Sequence, residues 1–525
     1  MYAIICYGGS PGIMYTEGNA DGVKRWVDSV HVKSEVKAPS FKGCQYLVNG
    51  EIKTFTKTIE PIATAIYPGD ERVKISEFAR CDKDIALAAL AAAHAAWDKS
   101  RGQVAKLDDP GAHYTAAREE MAELPMWDTC KSRQDAADEI DRTTGFIEDT
   151  INVAIKLYNS ETKFEISSGV ATQIRHMPVG FVLASGPFNY PMNECYTTFI
   201  PALMAGNTVT LRIQRNGASP HFPTLRMFQK HFPSSAINIF SGSGREIMTP
   251  LMQSGGIDYL AFIGRSSSAS ALIKTHPEPH RLHSLLQMDS KYCAILLEDS
   301  DMEAAKQCAS GAFSLNGQRC TAIKLIGVPE NCVADFVPRF VEAVDALKID
   351  MPWDADAKIT PLCEDEKPNG LEDLIEGRQK HGAHILNKHG ARFAKPLASP
   401  TVVGPFGPIA PIAVYQDNKY GLQSAVLGYE PTALARVVDA LSMAEGRVNI
   451  NSPDKRGPDV SPFTRKKNSA LGMTTAKEAL KRSAIPTVVA TTVGDQRDLA
   501  AVEGLIESGK CNFFNKNFVF PPSSG

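Results

Sequence analysis

Between residues 179 and 328, short apolar runs alternate with segments of helical spacing, and this alternation restricts the possible folds more than any other feature of the chain. Val179–Ala184, Thr208–Arg212, Ala236–Phe240 and Tyr259–Ile263 are each too short for a helix, and each is followed by a stretch that could form one. Strands buried on both faces read as continuous apolar runs, and parallel strands require a crossover segment between them. The pattern therefore predicts right-handed βαβ units around a parallel sheet. Ala294–Leu297 and Lys324–Val328 resume the alternation and predict a second α/β region.

Outside that block the first forty or so residues show no sustained periodicity and are rich in glycine, which predicts an extension laid on the surface. Ile85–Trp97, built almost entirely of Ala and Leu, predicts a helix. A second helix is expected over roughly 134–157, where Ile140, Phe146, Ile147 and Ile151 fall at helical spacings. Beyond about residue 490 the aromatic pairs Phe513-Phe514 and Phe518-Val-Phe520 suggest a docking arm.

The 525 residues carry 56 Lys+Arg against 59 Asp+Glu, so no global basic field recruits nucleic acid or an anionic membrane. No run approaches the roughly 20 apolar residues of a membrane-spanning helix. The eleven cysteines include no C-x-x-C pair, which argues against a disulfide scaffold or a four-cysteine zinc site and favours a reducing, cytoplasmic setting.

Several stretches invite a chemical reading. Tyr7–Gly12 has no following Lys-Ser/Thr and reads as a surface turn rather than a P-loop. Gly242-Ser-Gly244 follows an expected strand and opens an expected helix, a dinucleotide context without the third glycine. Pro277 and Pro279 keep His276, His280 and His283 from sharing a helical face, so no metal site is expected. Cys320 lies in Phe313-Ser-Leu-Asn-Gly-Gln-Arg-Cys-Thr-Ala322, beside a cation and in a glycine-containing turn. An adjacent cation and backbone N–H groups favour a thiolate, whereas a buried free cysteine serves as a small hydrophobe.

Taken together and in order, these motifs resemble the aldehyde dehydrogenase superfamily over roughly residues 46–490. Asn-Gly-Gln-Arg-Cys320-Thr resembles the nucleophile motif, and Gly186-Pro-Phe-Asn189-Tyr-Pro191 the oxyanion segment. Gly206–Arg212 resembles the cofactor strand, Phe262-Ile-Gly264-Arg-Ser266 the diphosphate turn, and Pro462-Phe463 through Lys467, Ser469 and Gly472 the C-terminal signature. The resemblance implies an α/β fold with a Rossmann-type cofactor domain, an α/β catalytic domain and a small β bridging element. It places an N-terminal extension at 1–45, the cofactor domain at 46–286 with a bridging hairpin near 163–177, and the catalytic domain at 287–479. A bridging strand at 480–495 and a C-terminal arm at 496–525 complete the division.

Within the superfamily, Asn189-Tyr190, Arg319 before Cys320, Arg142 and Arg456-Gly-Pro-Asp459 resemble the NADP-dependent, non-phosphorylating glyceraldehyde-3-phosphate dehydrogenases of glycolysis. That resemblance implies a Cys320 thioester, with Asn189 and the Cys320 backbone N–H holding the oxyanion, and Arg142, Tyr190, Arg319 and Arg456 binding the substrate phosphate. Arg212 stands where the family usually has a ribose-binding Lys; with Arg215 it favours NADP over NAD, while Phe262, Gly264 and Ser266 line the diphosphate. Two family acids are replaced. Gln287 stands at the general-base position and cannot take a proton near neutral pH, with Asp289 two residues on as a substitute. Gly404 stands where a glutamate would hold the nicotinamide ribose. These losses leave room for two other readings: a catalytically impaired structural or assembly subunit, or an enzyme that passes its acyl group to an acceptor other than water. A homo-oligomer is expected, with the terminal extensions as contacts for a larger assembly.

Overall fold

The computed structural model describes residues 2–6, 24–25, 38–66, 72–100, 118–161, 163–364, 366–394, 396–406, 418–453, 457, 459, 461–511 and 513–514. Two sheets dominate. Five parallel strands form the middle of the first, in the order His283–Gln287, Tyr259–Ile263, Phe181–Ser185, Thr208–Ile213 and Ile237–Ser241. Antiparallel strands extend both edges: Ala470–Leu471 beside His283–Gln287, and the hairpin Gln45–Val48/Glu51–Thr54 beside Ile237–Ser241. Four of these five central strands were legible as apolar runs; His283–Gln287, with its polar ends, was not.

The central strands are buried almost throughout, which is why they read as unbroken apolar runs. Between them and the rest of the core lies the helix Asn193–Met204, every residue of which is buried. Its polar residues Asn193, Glu194, Thr197 and Thr198 are buried with the rest, so it is an interior element on every face. It packs against the long helix Arg133–Ser160; of the four residues at helical spacing, Ile140, Phe146 and Ile147 are buried and Ile151 is half-buried. Ser132 caps that long helix by accepting the Asp135 N–H. The Ala/Leu run forms the helix Lys83–Ser100.

The second sheet runs His384–Ile385, Thr401–Phe406, Tyr2–Cys6, Ile323–Gly327, Tyr292–Leu296, Ser424–Leu427 and Val448–Ile450. Here the structure corrects the expectation for the N-terminus. Tyr2–Cys6 is not an extension apart from the fold; it is a strand in the middle of this sheet, parallel to both Thr401–Phe406 and Ile323–Gly327, with Ile4 opposite Leu325 and Val403. Lys24–Arg25 adds a strand parallel to Arg392–Ala394. The Gly-rich stretch at 7–12 lies outside the described residues. A five-residue strand has too few positions to show a period, and its partners are far along the chain, so the sequence carries no local mark of the pairing.

A third, three-stranded antiparallel sheet joins Glu165–Ser167, Val170–Pro178 and Ala484–Thr492. The C-terminal helix Gln496–Glu507 follows, after which the Phe513 carbonyl accepts from Arg175 and the Phe514 ring stacks on Phe164 at 5.9 Å. Among the described residues no helix is long and apolar enough to cross a membrane.

Candidate active site

A cavity of about 920 Å³ opens beyond the carboxyl ends of Phe181–Ser185 and Tyr259–Ile263. The chain leaves the first of these strands toward one side of the sheet and later crosses back to the other, so the cleft lies at a topological switch point. Parallel sheets bind their ligands at such points. Ser185, Gly186, Arg212 and Gly264 line one part of it, and Asn189, Gln287 and Cys320 another.

The approach to Cys320 is built from three successive left-handed residues: Leu315 (φ 51°), Asn316 (φ 56°) and Gly317 (φ 65°). Such a run is costly for a leucine and persists only where its surroundings hold it. Asn316 does so: its Nδ2 donates to the Thr360 carbonyl at 2.9 Å and its Oδ1 accepts the Thr360 N–H at 2.9 Å. Past the turn, Lys324 Nζ donates to the carbonyls of Ala322 (2.9 Å), Arg319 (3.4 Å) and Cys320 (3.5 Å), and the Ser290 hydroxyl also donates to the Cys320 carbonyl. The cysteine is partly exposed at the cavity, with Gln287 Nε2 3.4 Å from its sulfur.

Asn189 lines the same cavity; its Nδ2 donates to the Gln318 carbonyl at 2.7 Å and its Oδ1 accepts the Tyr190 N–H at 3.1 Å. Behind it stands a fully buried ion pair. Lys131 Nζ lies 2.5 Å from Glu139 Oε2 and 3.8 Å above the Tyr190 ring, and Glu139 Oε1 accepts the N–H groups of Met192 (2.8 Å) and Asn193 (3.1 Å). Burial pushes the Tyr190 phenol up to about 12, against the opposing pull of Arg319.

The expected substrate cations are only partly brought together. Arg142 and Arg319 both line the cavity, but Arg142 is held by Asp459 through two hydrogen bonds of 2.8 and 3.2 Å. Arg319 donates to the Ser314 hydroxyl and the Gly311 carbonyl. Arg456 lies outside the described residues. Lys291 and Lys324, which the sequence reading passed over, also line the cavity.

Three further expectations are corrected. Asp289 is not held as a base beside the thiol: its Oδ2 accepts the Ser266 N–H at 2.9 Å and hydroxyl at 2.7 Å, capping the helix Ser266–Thr275. Ser266 thereby spends its donors on Asp289. Arg215 turns to Glu60 at 3.3 Å and is not among the cavity residues. Gly404 is not in a ribose-holding loop; it lies within the strand Thr401–Phe406, in register with His384, and does not line the cavity.

Arg212 does line it. Its Nε donates to the Gly242 carbonyl at 2.9 Å, its guanidinium packs over Gly244, and burial draws its pKa down to about 10. A cation held at the start of the helix Gly244–Gln253, in a cleft where Gly264 and Gly186 carry no side chain to crowd a ligand, suits the phosphates of a dinucleotide. The residues present fit such a group. His276, by contrast, serves its own loop: Nε2 meets the Ile257 carbonyl at 3.0 Å and Nδ1 accepts the Glu278 N–H at 3.1 Å.

One residue was missed altogether. Arg465 is buried, and its NH2 donates to Gln287 Oε1 at 2.5 Å and to Thr474 Oγ1 at 2.8 Å. In the sequence it stands inside the stretch that resembles the C-terminal signature, at the head of the basic triplet Arg465-Lys466-Lys467, and nothing local sets it apart from its two neighbours. Lys466 and Lys467 are exposed.

The model of the aldehyde dehydrogenase family matches residues 55–488. An NADP-dependent glyceraldehyde-3-phosphate dehydrogenase of Streptococcus equinus is 28% identical over 477 residues, covering 85% of this chain and 98% of its own length. The enzyme of that name from Triticum aestivum is 30% identical over 384 residues, covering 67% of this chain and 75% of its own. The crystal structure of the Bacillus halodurans NADP-dependent glyceraldehyde-3-phosphate dehydrogenase, complexed with NADP, superposes with a TM-score of 0.76 at 26% identity, covering 86% of this chain and 99% of its own. The chain belongs to the aldehyde dehydrogenase family.

Proposed function

We propose that this protein oxidises a short phosphorylated aldehyde of the glyceraldehyde 3-phosphate class, with NADP, through a thioester on Cys320. The observation that carries the reading is the placement of a partly exposed thiol in a cavity with Arg142, Arg319, Lys291 and Lys324 around it and Arg212 in the dinucleotide cleft. The names of the relatives support it. NADP, when bound, supplies the hydride acceptor. Arg212 would hold its phosphate-bearing end, beside Gly264 and Gly186. On the substrate side, the Cys320 thiolate adds to the aldehyde carbon. Asn189 Nδ2 must then exchange the Gln318 carbonyl for the developing oxyanion, which a side-chain amide can stabilise by donating its N–H. Gln287 accepts no proton, so water attacking the thioester lacks its usual activation. The reading extends to a cytoplasmic homo-oligomer. Its support is the run of exposed Ile166, Ile174, Ile485 and Val488 on the three-stranded sheet, and ten described cysteines all free.

The direct test is NADP reduction with glyceraldehyde 3-phosphate and, in parallel, with glyceraldehyde. A clear preference for the phosphorylated aldehyde is expected; equal or absent rates remove the substrate assignment. Arg142→Ala should lower kcat/KM for the phosphorylated aldehyde by about 10–100-fold, since a charge-assisted hydrogen bond is worth roughly 1.5–3 kcal/mol. It should leave glyceraldehyde nearly unaffected. Equal losses on both would place Arg142 in the fold rather than on the substrate.

Asp289 yields a second expectation. Its carboxylate occupies the N-terminus of the helix Ser266–Thr275, where the cofactor diphosphate is expected to approach. Asp289→Asn keeps a hydrogen-bonding cap but removes the like charge, a change of about 1 kcal/mol at a helix terminus. The NADP Kd should fall roughly fivefold by fluorescence titration. Weaker binding in that variant would mean that the carboxylate assists the cofactor instead.

A further inference from the structure

The amide of Gln287 has no freedom to choose its orientation. Arg465 is a donor only, so the Gln287 atom 2.5 Å from its NH2 must be the carbonyl oxygen. The other end of the same amide, Nε2, is then the group 3.4 Å from Cys320 Sγ. Two strand pairings set this up. Ala470 stands opposite Gln287 in the antiparallel pair with His283–Gln287, and Lys466–Lys467, immediately after Arg465, pairs with Tyr420–Gly421, so the chain just past Arg465 is fastened twice. Arg465 is itself fixed by Thr474 at 2.8 Å and by the Phe463 ring, 4.3 Å from its guanidinium carbon. Its Nε and NH1 are buried without a hydrogen-bond partner among the described residues, and none of the described ion pairs includes it. Burial draws its pKa down to about 9, and the acid group that opposes this is Cys320. A buried cation kept without a carboxylate is costly, and its retention calls for a role.

We propose that Arg465 is a positioning residue that locks the Gln287 amide with its N–H toward the Cys320 sulfur, so that the guanidinium charge is relayed through the amide dipole to favour the thiolate. The proposal rests on Cys320 being the reactive thiol of the proposed function. It also changes what the glutamine means. From the sequence alone, Gln287→Glu restores a missing base. In the structure, the new carboxylate would face a buried guanidinium and form an ion pair, holding the proton acceptor away from water while placing a negative charge beside the sulfur. Gln287 and Arg465 thus form a matched pair, and a base requires changing both.

The test uses the full-length protein without added cofactor and two probes, iodoacetamide for thiolate reactivity and p-nitrophenyl acetate for acylation and deacylation of Cys320. With the ester, the thiolate forms an acyl–sulfur bond as p-nitrophenolate leaves, and water then releases acetate and regenerates the thiol. Arg465→Met should slow alkylation at about pH 7 roughly tenfold, the scale of one hydrogen bond to a charged group, and Arg465→Lys should recover most of it. Gln287→Ala should slow alkylation similarly, and adding Arg465→Met to it should cost nothing more, because both act through one contact. Gln287→Glu alone should slow the burst without speeding deacylation, whereas Gln287→Glu with Arg465→Met should speed deacylation. Wild-type alkylation in Arg465→Met, or the same loss with and without Gln287→Ala, would overturn the proposal. Deacylation as fast in Gln287→Glu alone as in the double variant would overturn it too. Should Arg465→Met fail to fold, unchanged alkylation in Gln287→Ala decides against the relay and tenfold slowing decides for it. A protein that shows these shifts yet oxidises no aldehyde would refute the proposed function and leave the relay standing.

Discussion

Cys320→Ala is expected to lower aldehyde oxidation by at least ~10⁴-fold, the scale on which covalent catalysts lose activity with their nucleophile. The melting temperature should stay within a few degrees of the parent, because the side chain is partly exposed and fills no core volume. No other described cysteine is placed to substitute. Cys195 and Cys81 are buried, and burial pushes both thiols up to about 12, far from a thiolate at neutral pH. Steady-state NADP reduction and circular dichroism melting on the same preparation check both halves. Retained turnover would refute the thioester mechanism.

The second large effect concerns stability. Lys131→Met should destabilise the protein by about 3–5 kcal/mol, because it leaves the Glu139 carboxylate buried without its counter-ion. Both side chains are fully buried, and Glu139 also holds the N–H groups of Met192 and Asn193 at the entrance to the interior helix. Activity should fall with stability, since the Lys131 ammonium lies over the Tyr190 ring, next to Asn189. Chemical denaturation measures the loss. A change below about 1 kcal/mol would show that the pair is solvated in practice, as surface pairs are.

How much of this was legible in the sequence depends on the range of the interaction. The strands Thr208–Ile213 and Tyr259–Ile263 announced themselves because burial on both faces leaves an unbroken apolar run. His283–Gln287 did not, since its ends are polar, and Gln287 is at once a strand residue and a site residue. The strand Tyr2–Cys6 was missed for a different reason: both of its ladder partners are distant in sequence. Among the candidate site residues, motif context singled out Cys320, Asn189 and Arg212, and all three line one cavity. What their side chains touch was not found. That Arg142 is answered by Asp459, that Asp289 caps a helix, and that Arg465 turns inward while Lys466 and Lys467 turn out are all consequences of tertiary packing.

The central claim is that an aldehyde becomes an acyl group on Cys320 and leaves slowly for want of a base. A single-turnover experiment tests it most directly: mix the protein with NADP and glyceraldehyde 3-phosphate, record NADPH absorbance, quench in acid and map the acylated peptide by mass spectrometry. The account predicts a burst of about one NADPH per chain, an acyl mass on the peptide containing Cys320, and a steady rate about 10²–10⁴-fold below the burst. No burst and an unmodified Cys320 peptide would contradict it.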